Sequence, residues 1–299
     1  MILGQNQYGK AENRVVRIVR DGATHHIKDL NVSVSLSGDM DEVHLSGSNA
    51  NVLTTDATKN TVFAFAKEHG IASAEQFGIH LARHFVTSRQ SITTARIRVE
   101  EYAWERIETP GPKRHSFVRT NQETRTAQIT YAGGPDGWQI ISGLKDLVVM
   151  NSTDSEFRGY VKDRYTTLPE TADRILATEV HARWRHSGTD GAEPEPGHWD
   201  HSYAQVREHL LHAFAETYSL SLQQTLYQMG ARVIDKCPGI DEIRLSLPNK
   251  HHFLADLEPF GLKNDNEVYF AADRPYGLIE ATILRDGAEA GIPADLTNL

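Results

Sequence analysis

The chain has 299 residues, a length that suggests about two domains. Its hydrophobic content (39%) and charged content (24%) are ordinary for a soluble globular protein. The formal net charge of −9 argues against general nucleic-acid binding, which requires a basic face, although it leaves room for a locally positive pocket. No apolar run approaches the roughly 20 residues of a membrane-spanning helix, so no membrane partner is expected.

The cysteine content and the two ends of the sequence indicate a cytoplasmic protein. The single cysteine, Cys237, excludes an internal disulfide framework and fits a reducing compartment. Because it precedes Pro238-Gly239, we interpret it as a buried or loop residue rather than a nucleophile. Met1–Gln5 lacks the pattern of a signal peptide, and the terminal Thr297-Asn298-Leu299 lacks the peroxisomal Ser-Lys-Leu address.

The first half of the chain reads as a strand pair, two helices and a second strand pair. Asp56 is predicted to N-cap the first helix, which runs through Lys67 and ends at Gly70. Ser73 and Gln76 form a capping box for the second helix. The predicted strands are at 14–20, 32–37, 92–107 and 117–131.

The second half repeats this order of elements. A loop rich in Gly, Pro and acidic residues occupies 187–198. Ser202 with Gln205, and Ser221 with Gln224, predict the starts of two helices. The predicted strands are at 138–150, 174–184, 242–247, 268–271 and 278–284.

This order predicts an α+β fold of two similar domains, 1–135 and 136–299, with antiparallel sheets and helices on one face. Curved four-stranded sheets have exposed edges, and closing several of them into a barrel removes those edges. We therefore expect a homo-oligomer.

Ser246–Phe253 is the segment most suggestive of chemistry. It follows an alternating strand, and Pro248 interrupts the ladder because it has no N–H to donate. An amide (Asn249), an ammonium group (Lys250) and two imidazoles (His251 and His252) come directly after that break.

Two predicted helix starts offer donors to a ligand. Thr55 and Asp56 lie where free N–H groups and the helix dipole favour an anion, although a plain helix start explains them equally well. Leu222 and Gln223 lie at a second start, where a Gln amide can grip the edge of a planar heterocycle, but Leu222 can also simply pack.

Three further residues have both an ordinary and a functional interpretation. Lys10 is either a solvated surface charge or, near another cation, a lysine base. Arg174 either forms an ion pair with a neighbouring acid (Asp173 or Glu170), or binds an anion bidentately through its guanidinium group. Phe157 is either a loop anchor or a stacking platform for a flat ligand.

Known metal and cofactor motifs are missing from the sequence. The fifteen histidines form no His-Glu-x-x-His or Cys/His zinc spacing, and no glycine-rich dinucleotide or phosphate loop occurs. We expect no metal and no common cofactor.

Taken in order, six short motifs make the chain resemble the urate oxidase (uricase) family. They are Tyr-Gly-Lys ending at Lys10, Thr-Asp-x-x-Lys-Asn at 55–60, Tyr-Thr-Thr-Leu at 165–168, Asp-Arg-Ile-Leu at 173–176, Leu-Gln at 222–223 and Ser-Leu-Pro-Asn-Lys-His at 246–251. Each is weak alone, but the ordered set covers nearly the whole chain. The missing terminal Ser-Lys-Leu suggests a bacterial-type, cytosolic member.

The resemblance implies a tandem tunnelling fold (T-fold), with four chains closing a β-barrel tunnel and active sites between subunits. It implies cofactor-free oxidation of urate by O2 and water to 5-hydroxyisourate and H2O2. The implied site residues are Lys10 and Thr55 as the proton-abstracting pair, His251 as relay, Arg174 and Gln223 as clamps, Phe157 as stacking ring, the N–H groups of Asp56 and Leu222 as donors, and Asn249 as the O2 or water site.

One departure and two alternatives accompany this interpretation. Many relatives carry Val where this chain has Leu222, but only the backbone there is implied to bind. One alternative is another T-fold purine or pterin enzyme, which typically anchors its heterocycle with Glu and often uses zinc. The other is a non-catalytic purine-binding tunnel protein, against which Lys10, Thr55 and His251 argue.

Overall fold

A computed structural model describes residues 1–111, 114–120, 122–188, 195–272 and 274–294. The strands are β1 Tyr8–Asp21, β2 Thr24–Gly38, β3 Ile92–Tyr102, β4 Trp104–Arg106, β5 Phe117–Arg119, β6 Thr124–Tyr131, β7 Trp138–Asn151, β8 Leu176–His186, β9 Ile240–Pro248, β10 His251–Leu254, β11 Tyr269–Ala272 and β12 Leu278–Leu284. The helices are α1 Asp41–Leu45, α2 Thr55–Glu68, α3 Ala74–Thr87, α4 His198–Glu216 and α5 Leu222–Lys236, and Glu258–Phe260 forms a 3₁₀ turn.

The chain contains two compact units. Unit 1 consists of Met1–Gly143 and Arg185–Tyr203, and unit 2 consists of Leu144–Trp184 and Ala204–Leu299. These two units are groups of residues that lie close together in space. The predicted domains 1–135 and 136–299 are instead defined by the repeated order of strands and helices along the sequence. That division therefore stays a prediction.

Unit 1 is an antiparallel sheet covered by helices. Its strands neighbour one another in the order β1-β2-β3-β6. Leu30, Val32, Val34 and Leu36 of β2 are buried in strict alternation, so one face of the strand points into the core. Helix α2 packs on β1, and α3 packs on β3 and β6, over a core that includes Phe77.

Unit 2 repeats this architecture. Strands β7, β8, β9 and β12 neighbour one another in that order, although β7 up to Gly143 and the last two residues of β8 belong to unit 1. Helix α5 packs against β9 and β12. Trp184, Met229 and Leu245 are among its fully buried residues. Strands β10 and β11 form a separate antiparallel pair. The predicted α+β class, antiparallel sheets with helices, is confirmed in both units.

The predicted cap of α2 is wrong by two residues. Thr54, not Asp56, is the N-cap: its backbone is extended (φ −60°, ψ 145°) and its hydroxyl accepts from the Ala57 N–H. Thr55 and Asp56 are therefore the first two residues of the helix. The predicted end is confirmed, since the helix stops before Gly70, which has the left-handed φ of +76° that glycine adopts without strain.

The other predicted boundaries have mixed outcomes. Ser73 and Ser221 cap α3 and α5, accepting from the N–H groups of Gln76 and Gln224, as predicted. Ser202 caps nothing, because α4 already begins at His198 and Ser202 lies inside it. The predicted strand at 92–107 breaks at Ala103, and the described part of the strand at 117–131 consists of β5 and β6. The predicted strand at 174–184 begins at Leu176.

Parts of two further predictions lie outside the described residues. These are positions 189–194 of the loop at 187–198 and the terminal residues 297–299. Cys237 is buried at the end of α5, and burial raises the pKa of its thiol, which agrees with a structural role. In the described parts of the chain, no helix is long and apolar enough to cross a membrane.

A polar network lies inside unit 1. Ser142 Oγ lies 2.7 Å from Glu75 Oε1 and 2.9 Å from His186 Nε2. Glu75 Oε2 accepts from Arg125, whose other nitrogen donates to Asp200 at 2.6 Å. Glu75, Ser142 and His186 are all buried, so these bonds satisfy groups that water cannot reach.

His186 makes the stability of unit 1 sensitive to acid. Burial, reinforced by the charges of His198 and Arg125, lowers the pKa of His186 to about 3. An unfolded imidazole titrates near 6.5, so the unfolded chain takes up the proton first as the pH falls. Stability is therefore lost from about pH 6.5 downward, and this histidine alone costs about 2 kcal/mol between pH 7 and pH 5.

Urea unfolding at pH 7 and pH 5 tests this prediction, with His186→Gln as the comparison. Gln keeps a polar group near Ser142 but does not titrate, and every other ionisable group is shared with the parent protein. The variant is expected to lose about 2 kcal/mol less than the parent over this interval. Equal losses in the two proteins would contradict the assignment.

Candidate active site

The start of β1 holds Lys10 through close backbone contacts. A β-carbon on Gly9 would lie 1.9 Å from the Val34 carbonyl oxygen, so only glycine permits this approach of β1 to β2. The register then shifts between Lys10 and Asn13. The buried Asn13 amide donates to the carbonyls of Lys10 (3.2 Å) and Val32 (2.9 Å). This bulge interrupts the ladder directly after Lys10 and before pairing resumes at Asn13, and bulges of this kind are common beside functional sites.

The N-terminus of α2 lies near Lys10. Thr55 and Asp56 are in its first turn, where backbone N–H groups have no partner within the helix. The pKa of the Asp56 carboxyl is lowered, mainly by the hydrogen bond and charge of Lys59 and to a smaller extent by the charge of Lys10. In unit 1 the charge of Lys10 thus acts on Asp56 at the start of α2, next to Thr55, and these are the three residues predicted from this half of the chain.

In unit 2, Phe157 and Arg174 lie side by side. The guanidinium carbon of Arg174 is 5.1 Å from the centre of the Phe157 ring. Arg174 Nε donates to Ser155 Oγ at 3.3 Å, and its backbone N–H donates to the Ser155 carbonyl at 2.8 Å. Phe157 exchanges two backbone hydrogen bonds with Thr171. The segment is thus held as a short ladder, which fixes both side chains.

The ordinary interpretation of Arg174, an ion pair with Asp173 or Glu170, is wrong. Glu170 pairs with Lys162 at 3.0 Å, and Asp173 accepts from the Thr153 hydroxyl. Across the described parts of the chain no carboxylate pairs with Arg174, and burial lowers the pKa of its guanidinium. A half-buried cation without a counter-ion is a ready site for an anionic or carbonyl-rich ligand.

The N-terminus of α5 is tied to the same segment. The Glu156 N–H donates to the Ser219 carbonyl at 2.8 Å, and the Ser219 N–H donates to the Asp154 carbonyl at 2.9 Å. With Ser221 as the cap, Leu222 and Gln223 are the first two residues of the helix. The predicted donors Leu222 and Gln223 therefore start from a backbone fixed relative to Phe157.

The segment after Pro248 is held against the start of β8. Pro248 is the last residue of β9, opposite Leu278, and its carbonyl accepts from the Thr178 hydroxyl at 2.9 Å. Asn249 bridges to Thr178, and the Lys250 N–H donates to the Ala177 carbonyl at 2.8 Å. Strand β8 begins two residues after Arg174, so these contacts tie the Asn249 segment to the strand that follows that arginine.

His251 is kept neutral, whereas its two neighbours have structural partners. Burial lowers the pKa of His251, and the charges of Arg174 and His252 lower it further. A neutral imidazole can accept a proton at pH 7. Lys250 Nζ pairs with Glu179 at 2.9 Å, and His252 Nδ1 lies 3.0 Å from the Lys250 carbonyl. These contacts agree with the absence of a predicted catalytic role for either residue.

A family model decides what kind of protein carries these residues. The model described as Uricase matches residues 6–130 and 140–280. The chain belongs to the uricase family. A uricase from Arthrobacter globiformis is 50% identical over 293 residues, which cover 98% of this chain and 93% of that protein. A uricase from Oryctolagus cuniculus is 37% identical and covers 93% of each chain.

Solved uricase structures confirm the fold. The crystal structure of the Arthrobacter globiformis uricase has a TM-score of 0.91 at 51% identity and covers 98% of both chains. A urate oxidase from Bacillus sp. TB-90 has a TM-score of 0.80 at 23% identity, covers 94% of this chain and 100% of that one, and supports the fold alone. The T-fold implied by the sequence is the uricase fold.

Sequence reasoning missed several residues around the candidate site. Tyr160 stacks on Phe157, with ring centres 4.9 Å apart and planes at 16°, and its hydroxyl donates to the Leu168 carbonyl. This bond links the Tyr-Thr-Thr-Leu motif at 165–168 to the predicted stacking ring. Ser155 and Thr178 hold Arg174 and Pro248 through hydroxyl groups that no sequence pattern marks.

One cluster in unit 2 has metal-ligand residue types. Ligand atoms of Asp146, Glu179 and His181 lie within 4.8 Å of one another. Glu179, however, is bonded to Lys250 at 2.9 Å and to His181 at 3.3 Å. These ion pairs explain the cluster, and we assign no metal to it.

Proposed function

We propose that this chain oxidises urate with O2 and water to 5-hydroxyisourate and H2O2, with neither a metal nor an organic cofactor. Membership of the uricase family supports the reaction. The observation that carries the proposal is the guanidinium of Arg174, which has no counter-ion among the residues that the structure describes and lies beside Phe157 in a segment tied to the N-terminus of α5. This is a surface for a flat, electron-rich, anionic heterocycle.

We assign the recognition of urate mainly to unit 2. Arg174 and Gln223 hold opposite edges of the ring system, and Phe157 stacks on its face. The backbone N–H groups of Leu222 and Asp56 donate to ring atoms, and Thr55 adds a hydroxyl contact. Free N–H groups at helix starts suit this task because they are fixed and carry the positive end of the helix dipole.

Lys10 and Thr55 form the pair that removes a proton from urate, and His251 relays protons behind Lys10. The resulting dianion is electron-rich enough to pass electrons to O2 without a redox cofactor. Asn249 holds O2, and later water, above the ring. Two electrons and two protons reach O2 to give H2O2, and the oxygen of water becomes the 5-hydroxyl group, so the reaction balances. Burial lowers the pKa of His251, so its imidazole is neutral at pH 7 and can accept a proton.

We also propose that the protein is a cytoplasmic homotetramer with active sites between subunits, each completed by Lys10, Thr55 and Asp56 of a neighbouring chain. Unpaired edges support such an assembly, because β1 and β12 each have one neighbouring strand in the described sheet. Val16 and Ile18 on β1 are also exposed apolar residues.

Spectroscopy under air in chelator-treated buffer tests the proposed reaction. Purified protein should remove the ultraviolet band of urate while consuming O2 and releasing peroxide. Elemental analysis should find no stoichiometric zinc, which separates this reaction from that of a zinc-dependent T-fold enzyme. A stable urate band under these conditions would refute the proposal.

Arg174→Gln tests the binding surface. The variant loses a charged, two-pronged donor, so the KM for urate should rise about 10- to 100-fold. Arg158→Gln is the matched control, because Arg158 is an exposed arginine of the same segment that pairs with Glu156. An unchanged KM in Arg174→Gln, or an equal rise in both variants, would contradict the role of Arg174.

A further inference from the structure

The Tyr-Gly-Lys motif contains one residue to which the proposed mechanism gives no task, Tyr8. It is the first residue of β1, opposite Leu36. Its ring is partly buried and packs on the core of unit 1 together with Val52 and Leu53. Its hydroxyl accepts a hydrogen bond from the Leu53 N–H at 3.0 Å.

The position of Leu53 gives this bond its significance. Leu53 directly precedes Thr54, the cap of α2, and lies two residues before Thr55. Tyr8 lies two residues before Lys10, so both side chains leave β1 on the same face. A single hydrogen bond therefore joins the strand segment that carries Lys10 to the helix start that carries Thr55.

We propose that Tyr8 is a positioning residue whose hydroxyl sets the separation between Lys10 and Thr55. This inference rests on the proposed base role of Lys10. The neighbouring contacts leave β1 little freedom, because Gly9 brings it against the Val34 carbonyl and Asn13 holds the Lys10 carbonyl. The Tyr8 hydroxyl ties the residue before the cap of α2 to this constrained strand.

The chemistry of the side chain agrees with this assignment. A phenylalanine would fill the same space in the core, so packing alone does not require a hydroxyl group. Burial raises the pKa of Tyr8, so the group stays an uncharged phenol at neutral pH, and the Leu53 N–H is its hydrogen-bond partner. Small displacements of reacting groups reduce turnover strongly, and a single bond at this junction can therefore affect the rate.

Tyr8→Phe removes only the hydroxyl and is the test variant. We expect kcat for urate to fall about ten-fold while KM changes less than about three-fold, since Arg174 and Gln223 are untouched. Tyr102→Phe is the matched control: Tyr102 is a partly buried tyrosine of unit 1 whose hydroxyl donates to Glu100 at 2.9 Å. Its kcat should stay within about two-fold of the parent value.

A double-mutant cycle separates positioning from a general loss of structure. In a Lys10→Ala background, Tyr8→Phe should change turnover less than about two-fold, because the group that it positions is gone. The same ten-fold loss in both backgrounds would overturn the proposal. Normal kcat in Tyr8→Phe, with Lys10→Ala impaired, would overturn the proposal and leave the base role intact. Normal turnover in Lys10→Ala itself would overturn the base role, and the proposal with it.

Amide hydrogen exchange provides a readout that does not depend on activity. In the parent protein the Leu53 amide should be protected, and Tyr8→Phe should increase its exchange rate about ten-fold relative to amides in the middle of α2. Equal exchange rates in the parent and the variant would show that the bond does not hold the helix start, and would overturn the proposal.

Discussion

Replacement of Lys10 by alanine is expected to lower the turnover of urate by about a hundred- to ten-thousand-fold, the usual contribution of a positioned general base. The side chain leaves β1 at the bulge stabilised by Asn13, near the first turn of α2. Lys59 of α2 is not available for this role, because it is engaged by Asp56 at 2.6 Å. Affinity for a purine that cannot be oxidised should change little, because the proposed clamps are Arg174 and Gln223.

The comparison of turnover with affinity makes this prediction specific. Stopped-flow absorbance gives the turnover, and calorimetric titration with a non-reactive purine gives the affinity. Lys67→Ala is the control, since Lys67 is an exposed lysine in the last turn of α2. A fall in affinity that matches the fall in turnover would mean that Lys10 binds urate rather than deprotonating it. Unchanged turnover would remove Lys10 from the mechanism.

Local sequence signals predicted most of the secondary structure, and at the start of α2 they failed because several adjacent residues had the same capacity to cap the helix. Ser73 and Ser221 stand alone before apolar-periodic runs, and both are caps in the structure. Thr54, Thr55 and Asp56 can all cap a helix, and their side chains alone do not rank them. The extended backbone at Thr54 makes the choice, and the Tyr8–Leu53 bond next to it joins residues 45 positions apart in the chain.

Prediction of the candidate site also depended on signals that lie within short stretches of sequence. The ordered motifs predicted Lys10, Thr55, Arg174, Gln223 and His251 as site residues, because each lies in a short segment that can be recognised on its own. The residues that hold them belong to other segments. Ser155, which accepts from Arg174, lies 19 positions from it, and Thr178 is 70 positions from Pro248, whose carbonyl it binds. Such partners become visible only when the sheet brings distant segments together.

Glu75 is the clearest example of a residue whose importance is visible only in the folded structure. Its replacement by alanine is expected to destabilise the protein by about 3–5 kcal/mol. From the sequence it is an unremarkable acid in the first turn of α3. In the structure it is fully buried, and its two oxygens bind Arg125 (2.7 Å) and Ser142 (2.7 Å). Glu75→Ala would leave a largely buried guanidinium with the partly exposed Asp200 as its closest acid, and a buried hydroxyl with only His186.

Urea unfolding at pH 7 measures the effect, and two variants separate its causes. Glu68→Ala removes an exposed acid at the end of α2 and should cost less than about 0.5 kcal/mol. Glu75→Ala combined with Arg125→Met should recover part of the loss, because an apolar side chain replaces the stranded cation. The same loss in the single and double variants would mean that packing, not the uncompensated charge, gives Glu75 its importance.

A loss of stability below about 1 kcal/mol in Glu75→Ala would show that water reaches the network in solution. His186 would then also be solvated, and its acid sensitivity would disappear together with the importance of Glu75.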